Sequence, residues 1–375
     1  MTPRLVAIDL PGGPAFVDAL RDIWDAGDAA FPVDQRMPRA AKAALLASMG
    51  AGAVVEPGAV DHPTPLDGGL PVERGDALVV ATSGSTGAPK GVVLTHAAVA
   101  ASALATSDRL AIVQDDHWLA CLPLAHVGGL AVVTRAMVVG TSLTVLPAFE
   151  PAAVTTAGAT HVSLVATALR RIDPAGFRTI VLGGAAPPAQ LPPNVVTTYG
   201  MTETGSGVVY DGRPLDGVDV RIDVDGQILL RGPMLLRSYR DGSNPLVDGW
   251  FPTGDLGRWD PDGRLVVDGR RGDLIITGGE NVWPEPVEAI LRTQTGVADV
   301  AVAGTPDAEW GHVVTAFVVA DDAGPPTLDA LRGAVKSVLP PFCAPRRLVL
   351  VDAIPRTALG KVRRSELRQP PSGAR

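Results

Sequence analysis

Short apolar runs alternate with glycine- and proline-rich polar stretches along the chain, and the spacing within the runs predicts the elements. Residues 14–24 have helical periodicity, with Phe16, Leu20 and Trp24 on one face. Residues 29–33 read as a strand that Pro32 would confine to a sheet edge. Residues 38–49 read as a helix, and Val54 with Val55 as a strand before a Pro/Gly-rich loop. From residue 77 the pattern is strand–loop–helix several times over. Strands are expected at 77–81, 118–122, 143–146, 179–182 and 195–198, and helices from 96, over 128–139 and over 163–172. This alternation predicts an α/β domain with a largely parallel sheet, whose ligands bind beyond the carboxyl ends of the strands. After Tyr210 the pattern becomes one of hairpins. Asp225-Gly226 separates 220–222 from 228–230, and Pro261-Asp262-Gly263 separates 257–259 from 264–267. The polar joint after Asp268-Gly269 sets the expected domain boundary. A large domain is expected over 1–269 and a small α+β domain over 270–375, with helices at 284–293 and 327–338 and strands at 297–303, 313–319 and 347–351.

Composition narrows the classes. Aromatic residues make up only 4%, so the core is mostly aliphatic, and a net charge of −8 argues against a general nucleic-acid binder. Two cysteines, Cys121 and Cys343, make no disulfide framework, and the histidines show no metal-ligand spacing. The N-terminus has no long apolar stretch, so no signal peptide is expected. The most apolar region, 130–146, is broken by Arg135 and Gly140, so no membrane span is expected either. A cytoplasmic protein is the expectation.

The chemistry is densest at Thr82-Ser83-Gly84-Ser85-Thr86-Gly87-Ala88-Pro89-Lys90-Gly91. Glycines let the backbone approach an anion, hydroxyls and amides supply donors, and Lys90 supplies a point charge. This suits a polyphosphate, though Pro89 and Gly91 exclude the Walker A pattern. Gly183-Gly184-Ala185-Ala186-Pro187 leaves room for a flat ring. In Tyr199-Gly200-Met201-Thr202-Glu203-Thr204, Tyr199 can stack on a base, Thr202 can bond a phosphate and Glu203 can hold Mg²⁺. Asp255, in Thr253-Gly254-Asp255, can accept from ribose hydroxyls, with Arg270 reaching the same sugar. Lys361 closes a glycine-hinged loop, a second cation that would complete the site when the domains close. Arg135 shares a helix face with 128, 131 and 132, interrupts it, and wants a carboxylate partner.

In this order and spacing, over 77–367, the clusters resemble the adenylate-forming ligases, the family of acyl-CoA synthetases, firefly luciferase and peptide-synthetase adenylation domains. The resemblance implies a two-step reaction: a carboxylate attacks the α-phosphate of ATP, then a thiol displaces AMP from the acyl-adenylate. It implies that Thr82, Ser83, Gly84, Ser85, Thr86, Gly87 and Lys90 hold phosphates, and that Gly183, Gly184, Ala185, Tyr199 and Gly200 hold adenine. Asp255 and Arg270 would take the ribose, and Glu203 with Thr86 the Mg²⁺. Lys361, Glu203, Thr202 and His126 form the implied catalytic set, and Gly272 the pivot of the small domain. Gly278-Gly279-Glu280-Asn281-Val282-Trp283-Pro284 resembles the CoA-ligase form of the thiolation loop. Residues 122–130, with Arg135, are similar to those of o-succinylbenzoate–CoA ligases of menaquinone synthesis, so that His126, Arg135 and Gly200 would border the acid. The implied partners are a small-molecule acid, ATP and CoA, with a homodimer left open. The alternatives are another aryl or fatty acyl-CoA ligase, a carrier-loading adenylation domain, and a nucleotide-binding regulator without chemistry.

Overall fold

The structure, a computed structural model, describes residues 2–60, 62–82, 89–185, 187–188, 190–356 and 362–367. It divides into two compact units, one of residues 1–221 with 229–252, the other of 222–228 with 253–375.

The first unit contains two seven-stranded sheets. One runs Ser238–Tyr239, Lys90–Thr95, Asp76–Thr82, Ala29–Pro32, Leu5–Ile8, Ala53–Val55, Thr64–Pro65. The other runs Arg213–Pro214, Gly207–Tyr210, Val195–Gly200, Thr179–Leu182, His161–Leu164, His117–Ala120, Ser142–Val145. The centre of each is parallel, and antiparallel strands are added at the edges. Two helices, His96–Arg109 and Val127–Val139, pack on each other; the first also touches Asp76–Thr82 and Lys90–Thr95, the second His117–Ala120 and His161–Leu164. A helix covered in this way must be apolar all round, and residues 129–136 are all buried. Thr95 starts the first of these helices, its Oγ1 accepting from the Ala98 N–H at 3.1 Å.

Three expectations are corrected. Ala29–Pro32 is an interior strand, not an edge, with Leu5–Ile8 on one side and Asp76–Thr82 on the other. Pro32 is tolerated because it is the last residue, beyond the single pair Ala30–Leu78 made with Asp76–Thr82. Residues 163–172 are not one helix: His161–Leu164 is a fully buried parallel strand, and only Ala166–Leu169 turns helically. The phosphate-loop segment joins two antiparallel strands, with Thr82 opposite Lys90, rather than a strand and a helix.

In the second unit the part of the strand Phe251–Trp259 from Thr253 on forms an antiparallel hairpin with Leu265–Arg270. A five-stranded sheet follows, in which Ile275–Thr277, Glu280–Val282, Asp299–Asp307 and Gly311–Val319 pair antiparallel and Arg347–Leu350 adds in parallel to Gly311–Val319. Pro284–Leu291 and Leu328–Lys336 bury Val287, Leu291, Leu331 and Val335 in one core cluster with Val300, Val302 and Val318. Ala301, Ala303 and Phe317 form another with Ile354 and Leu367.

Candidate active site

The strand Val195–Gly200 delivers Tyr199 and Gly200 to a turn. A Cβ on Gly200 would lie 2.2 Å from the Ser206 carbonyl oxygen, so only glycine fits. The turn Thr202–Thr204 that follows is fixed by Thr204, whose Oγ1 accepts from the Met201 N–H at 2.9 Å and donates to the Ser206 carbonyl at 2.7 Å. It presents Glu203, half-buried, beside Thr202. The Tyr239 hydroxyl donates to Glu203 Oε1 at 3.0 Å, and Lys90 Nζ stands 4.8 Å from the centre of the Tyr239 ring. Lys90 and Glu203, read apart in the sequence, thus meet at one tyrosine that the sequence reading missed. Its only sequence signal is a tyrosine between Arg237 and Arg240.

Gly183, Gly184 and Ala185 follow the strand Thr179–Leu182 in the same sheet, with Gly184 at a φ of 89°. Thr82 ends its strand, and its Oγ1 donates to the Lys90 carbonyl at 3.4 Å. Ser83, Gly84, Ser85, Thr86, Gly87 and Lys361 lie outside the described residues.

Two further residues are those that the sequence reading assigned to the acid. Arg135 is buried to 2% exposure in the helix Val127–Val139. Its Nη2 donates to Ser206 Oγ at 3.4 Å, and its guanidinium lies over Trp118 at 4.6 Å. Its Nε and Nη1, and Trp118 Nε1, have no hydrogen-bond partner among the described residues. Burial pulls the guanidinium below its ordinary pKa, and Tyr210 opposes that weakly. Arg135, Thr134 and Gly205 line a void of about 10 Å³, enough for one water-sized group. His126 stands just before the same helix, its buried Nε2 without a hydrogen bond among the described residues and 3.8 Å from Asp34 Oδ2. Burial lowers the His126 pKa against the pull of Asp34. Trp118 and Ser206, which touch Arg135, are the other residues missed; a tryptophan in a short apolar strand gave no sign of its neighbour.

In the second unit Asp255 and Arg270 face each other across the hairpin, with Arg270 Nε donating to Asp255 Oδ1 at 2.9 Å. The Thr253 hydroxyl accepts from the Asp255 N–H at 3.0 Å and donates to the Ile228 carbonyl at 2.8 Å. Gly272 lies in the turn Arg271–Asp273, where a Cβ would meet nothing within 4 Å.

The description "AMP-binding enzyme" fits residues 70–240, and "AMP-binding enzyme C-terminal domain" fits 286–361. A "Probable 2-succinylbenzoate–CoA ligase" of Mycobacterium tuberculosis is 42% identical over 321 residues, covering 78% of this chain and 83% of that protein. The chain belongs to the AMP-binding enzyme family. A 2-succinylbenzoate–CoA ligase of Bacillus cytotoxicus is 36% identical over 335 residues, 78% of this chain and 69% of that protein. Among solved structures, o-succinylbenzoate CoA synthetase of Bacillus subtilis with its acyl-adenylate intermediate superposes with a TM-score of 0.87 at 28% identity, covering 100% of this chain and 90% of that one. The same enzyme with ATP and magnesium ion gives 0.85 at 28%, over 98% and 90%. For this AMP-binding enzyme, no cluster of three or more His, Cys, Asp or Glu side chains suited to a metal exists among the described residues. A lone carboxylate such as Glu203 still fits Mg²⁺, which takes its other ligands from phosphate and water.

Proposed function

We propose that the protein activates 2-succinylbenzoate with ATP and transfers the acyl group to CoA. A carboxylate oxygen of the acid attacks the α-phosphorus and pyrophosphate leaves. The CoA sulfur then attacks the acyl carbon of the adenylate and AMP leaves. The observation that carries the choice of acid is Arg135. A buried guanidinium with no acidic partner among the described residues is costly, so the site fits a guest that brings a carboxylate. 2-Succinylbenzoate has two: one reacts, the other remains to be paired. The relatives named above act on this acid by their names, which supports the same reading.

Lys90 neutralises phosphate charge, with Thr82 and the glycine-rich residues beside it supplying donors. Glu203 would hold Mg²⁺, which offsets charge on the phosphates when bound. Tyr199 and the small residues 183–185 offer a surface for adenine, and Asp255, steadied by Arg270, offers acceptors to ribose. His126, half-buried, borders the acid and gates it sterically. The catalytic role of Lys361 and the pivot at Gly272 rest on the family resemblance, and the domains at 1–269 and 270–375 on the polar joint after Asp268-Gly269.

The test supplies a mixture of aryl, fatty and dicarboxylic acids with ATP, Mg²⁺ and CoA, and reads pyrophosphate release and the mass of the thioester. The 2-succinylbenzoyl thioester is expected to dominate. A thioester of a monocarboxylic acid in its place would sink the choice of acid.

A further inference from the structure

Tyr239 touches two groups that the proposed function uses separately. Its position is dictated by the segment around it. Leu236 N–H donates to the Glu203 carbonyl at 2.8 Å, so the segment is tied to the turn that presents Glu203. Arg237 N–H donates to the Val93 carbonyl at 2.9 Å and Arg240 N–H to the Gly91 carbonyl at 2.7 Å, so it is also tied to the strand that begins at Lys90. Ser238–Tyr239 pairs antiparallel with that strand, Tyr239 opposite Val92. The flanking side chains anchor it further: Arg237 bonds Asp76 at 2.9 and 3.0 Å, and Arg240 bonds the carbonyls of Met49, Leu70 and Pro71. Tyr239 therefore stands on a rigid edge strand, held half-buried, where the phosphate-loop strand and the Glu203 turn come together.

Both contacts have a physical use. Glu203 is a long side chain on a short turn, and ordering it costs rotamer freedom. A phenol hydroxyl donating to one carboxylate oxygen fixes the rotamer and leaves the other oxygen for a ligand. Lys90 is exposed on a flexible stem. The ring face attracts its ammonium and narrows the directions it takes. Groups held this way before the ligand arrives lose less on binding.

We propose that Tyr239 is a positioning residue for nucleotide activation, its hydroxyl setting the Glu203 carboxylate toward the metal and its ring setting Lys90 toward the phosphates. The inference rests on the reading that Glu203 holds Mg²⁺ and Lys90 meets phosphate.

The two contacts are separable. Tyr239→Phe keeps the ring and removes the hydroxyl, and Tyr239→Leu removes both. The probe is ATP binding measured by calorimetry, once with Mg²⁺ and once with a chelator, alongside the kinetics. With Tyr239→Phe, the gain in ATP affinity that Mg²⁺ brings should fall about tenfold, with affinity in chelator unchanged. With Tyr239→Leu, affinity in chelator should fall as well, about threefold. The KM for the acid should not move in either. Glu203→Gln is the control for the parent reading. If Glu203→Gln loses the Mg²⁺-dependent gain and Tyr239→Phe keeps it, the inference is overturned while the reading stands. If Glu203→Gln also keeps it, the reading itself fails and the inference goes with it. Unchanged melting of Tyr239→Phe separates positioning from a loss of fold.

Discussion

A buried arginine with unmatched N–H groups is unfavourable for the empty protein. Arg135 has the Trp118 face and one long hydrogen bond to Ser206, and two nitrogens without partners among the described residues. Arg135→Met, of similar length and with no charge to desolvate, should therefore raise stability, by about 1–4 kcal/mol, in denaturant unfolding of the substrate-free protein. A loss of stability would mean that Arg135 is an ordinary structural residue. The same tryptophan neighbours a second buried group, His161, whose ring centre lies 5.0 Å from that of Trp118. Burial lowers its pKa to about 4, against the pull of Asp116. Between the free imidazole value near 6.5 and about 4, the unfolded chain binds a proton that the folded chain does not. Stability should fall as pH falls through that window. The ring resonances of His161 should still report the neutral form at pH 5.5; a protonated ring there would contradict this. At this scale the sequence was informative about Arg135, because helical spacing puts a charge among apolar positions. It was silent about Trp118, Ser206 and Tyr239, because their importance lies in neighbours far along the chain.

Elements were legible where the pattern was local. The hairpin turn at Asp225-Gly226 is closed by Asp223, whose carboxylate accepts from the N–H groups of Asp225 at 2.9 Å and Gln227 at 2.7 Å. Such a turn is written in its own residues. His161–Leu164 was misread because a fully buried parallel strand and a buried helix share an apolar pattern, and the pairing with Thr179–Leu182 is not local. Pro32 misled for a related reason: the edge rule applies to a proline whose N–H is needed, and the last position of a strand does not need it. The short helix Arg364–Leu367 in the second unit is anchored by an unforeseen arginine. Arg364, buried, meets Glu288 at 2.7 Å and Asp273 and Glu285 at 3.2 Å, and donates to the Val302 carbonyl at 3.0 Å. Arg364→Met leaves buried Glu288 with only the longer contact to Arg292, at 3.9 Å, and should destabilise the full chain by about 3–5 kcal/mol in urea unfolding. A change below about 1 kcal/mol would contradict this anchoring role.

For the whole molecule, the first unit organises two sheets and two mutually packed helices so that the Glu203 turn and the Arg135 helix share Ser206. The carboxylate that would hold the metal and the hydroxyl that accepts from the Arg135 guanidinium thus lie on one segment, 200–206; under the proposed function, the acid's unreactive end would be read close to where its reactive end is activated. The most direct measurement compares kcat/KM for 2-succinylbenzoate with that for an analogue lacking the carboxylate that does not react, in the natural protein and in Arg135→Met. The natural protein should prefer the dicarboxylate by about 10²–10³-fold, the worth of a buried charged pair, and Arg135→Met should lose most of that preference. An Arg135→Met protein that discriminates as well as the natural one would contradict the assignment of Arg135 to the acid.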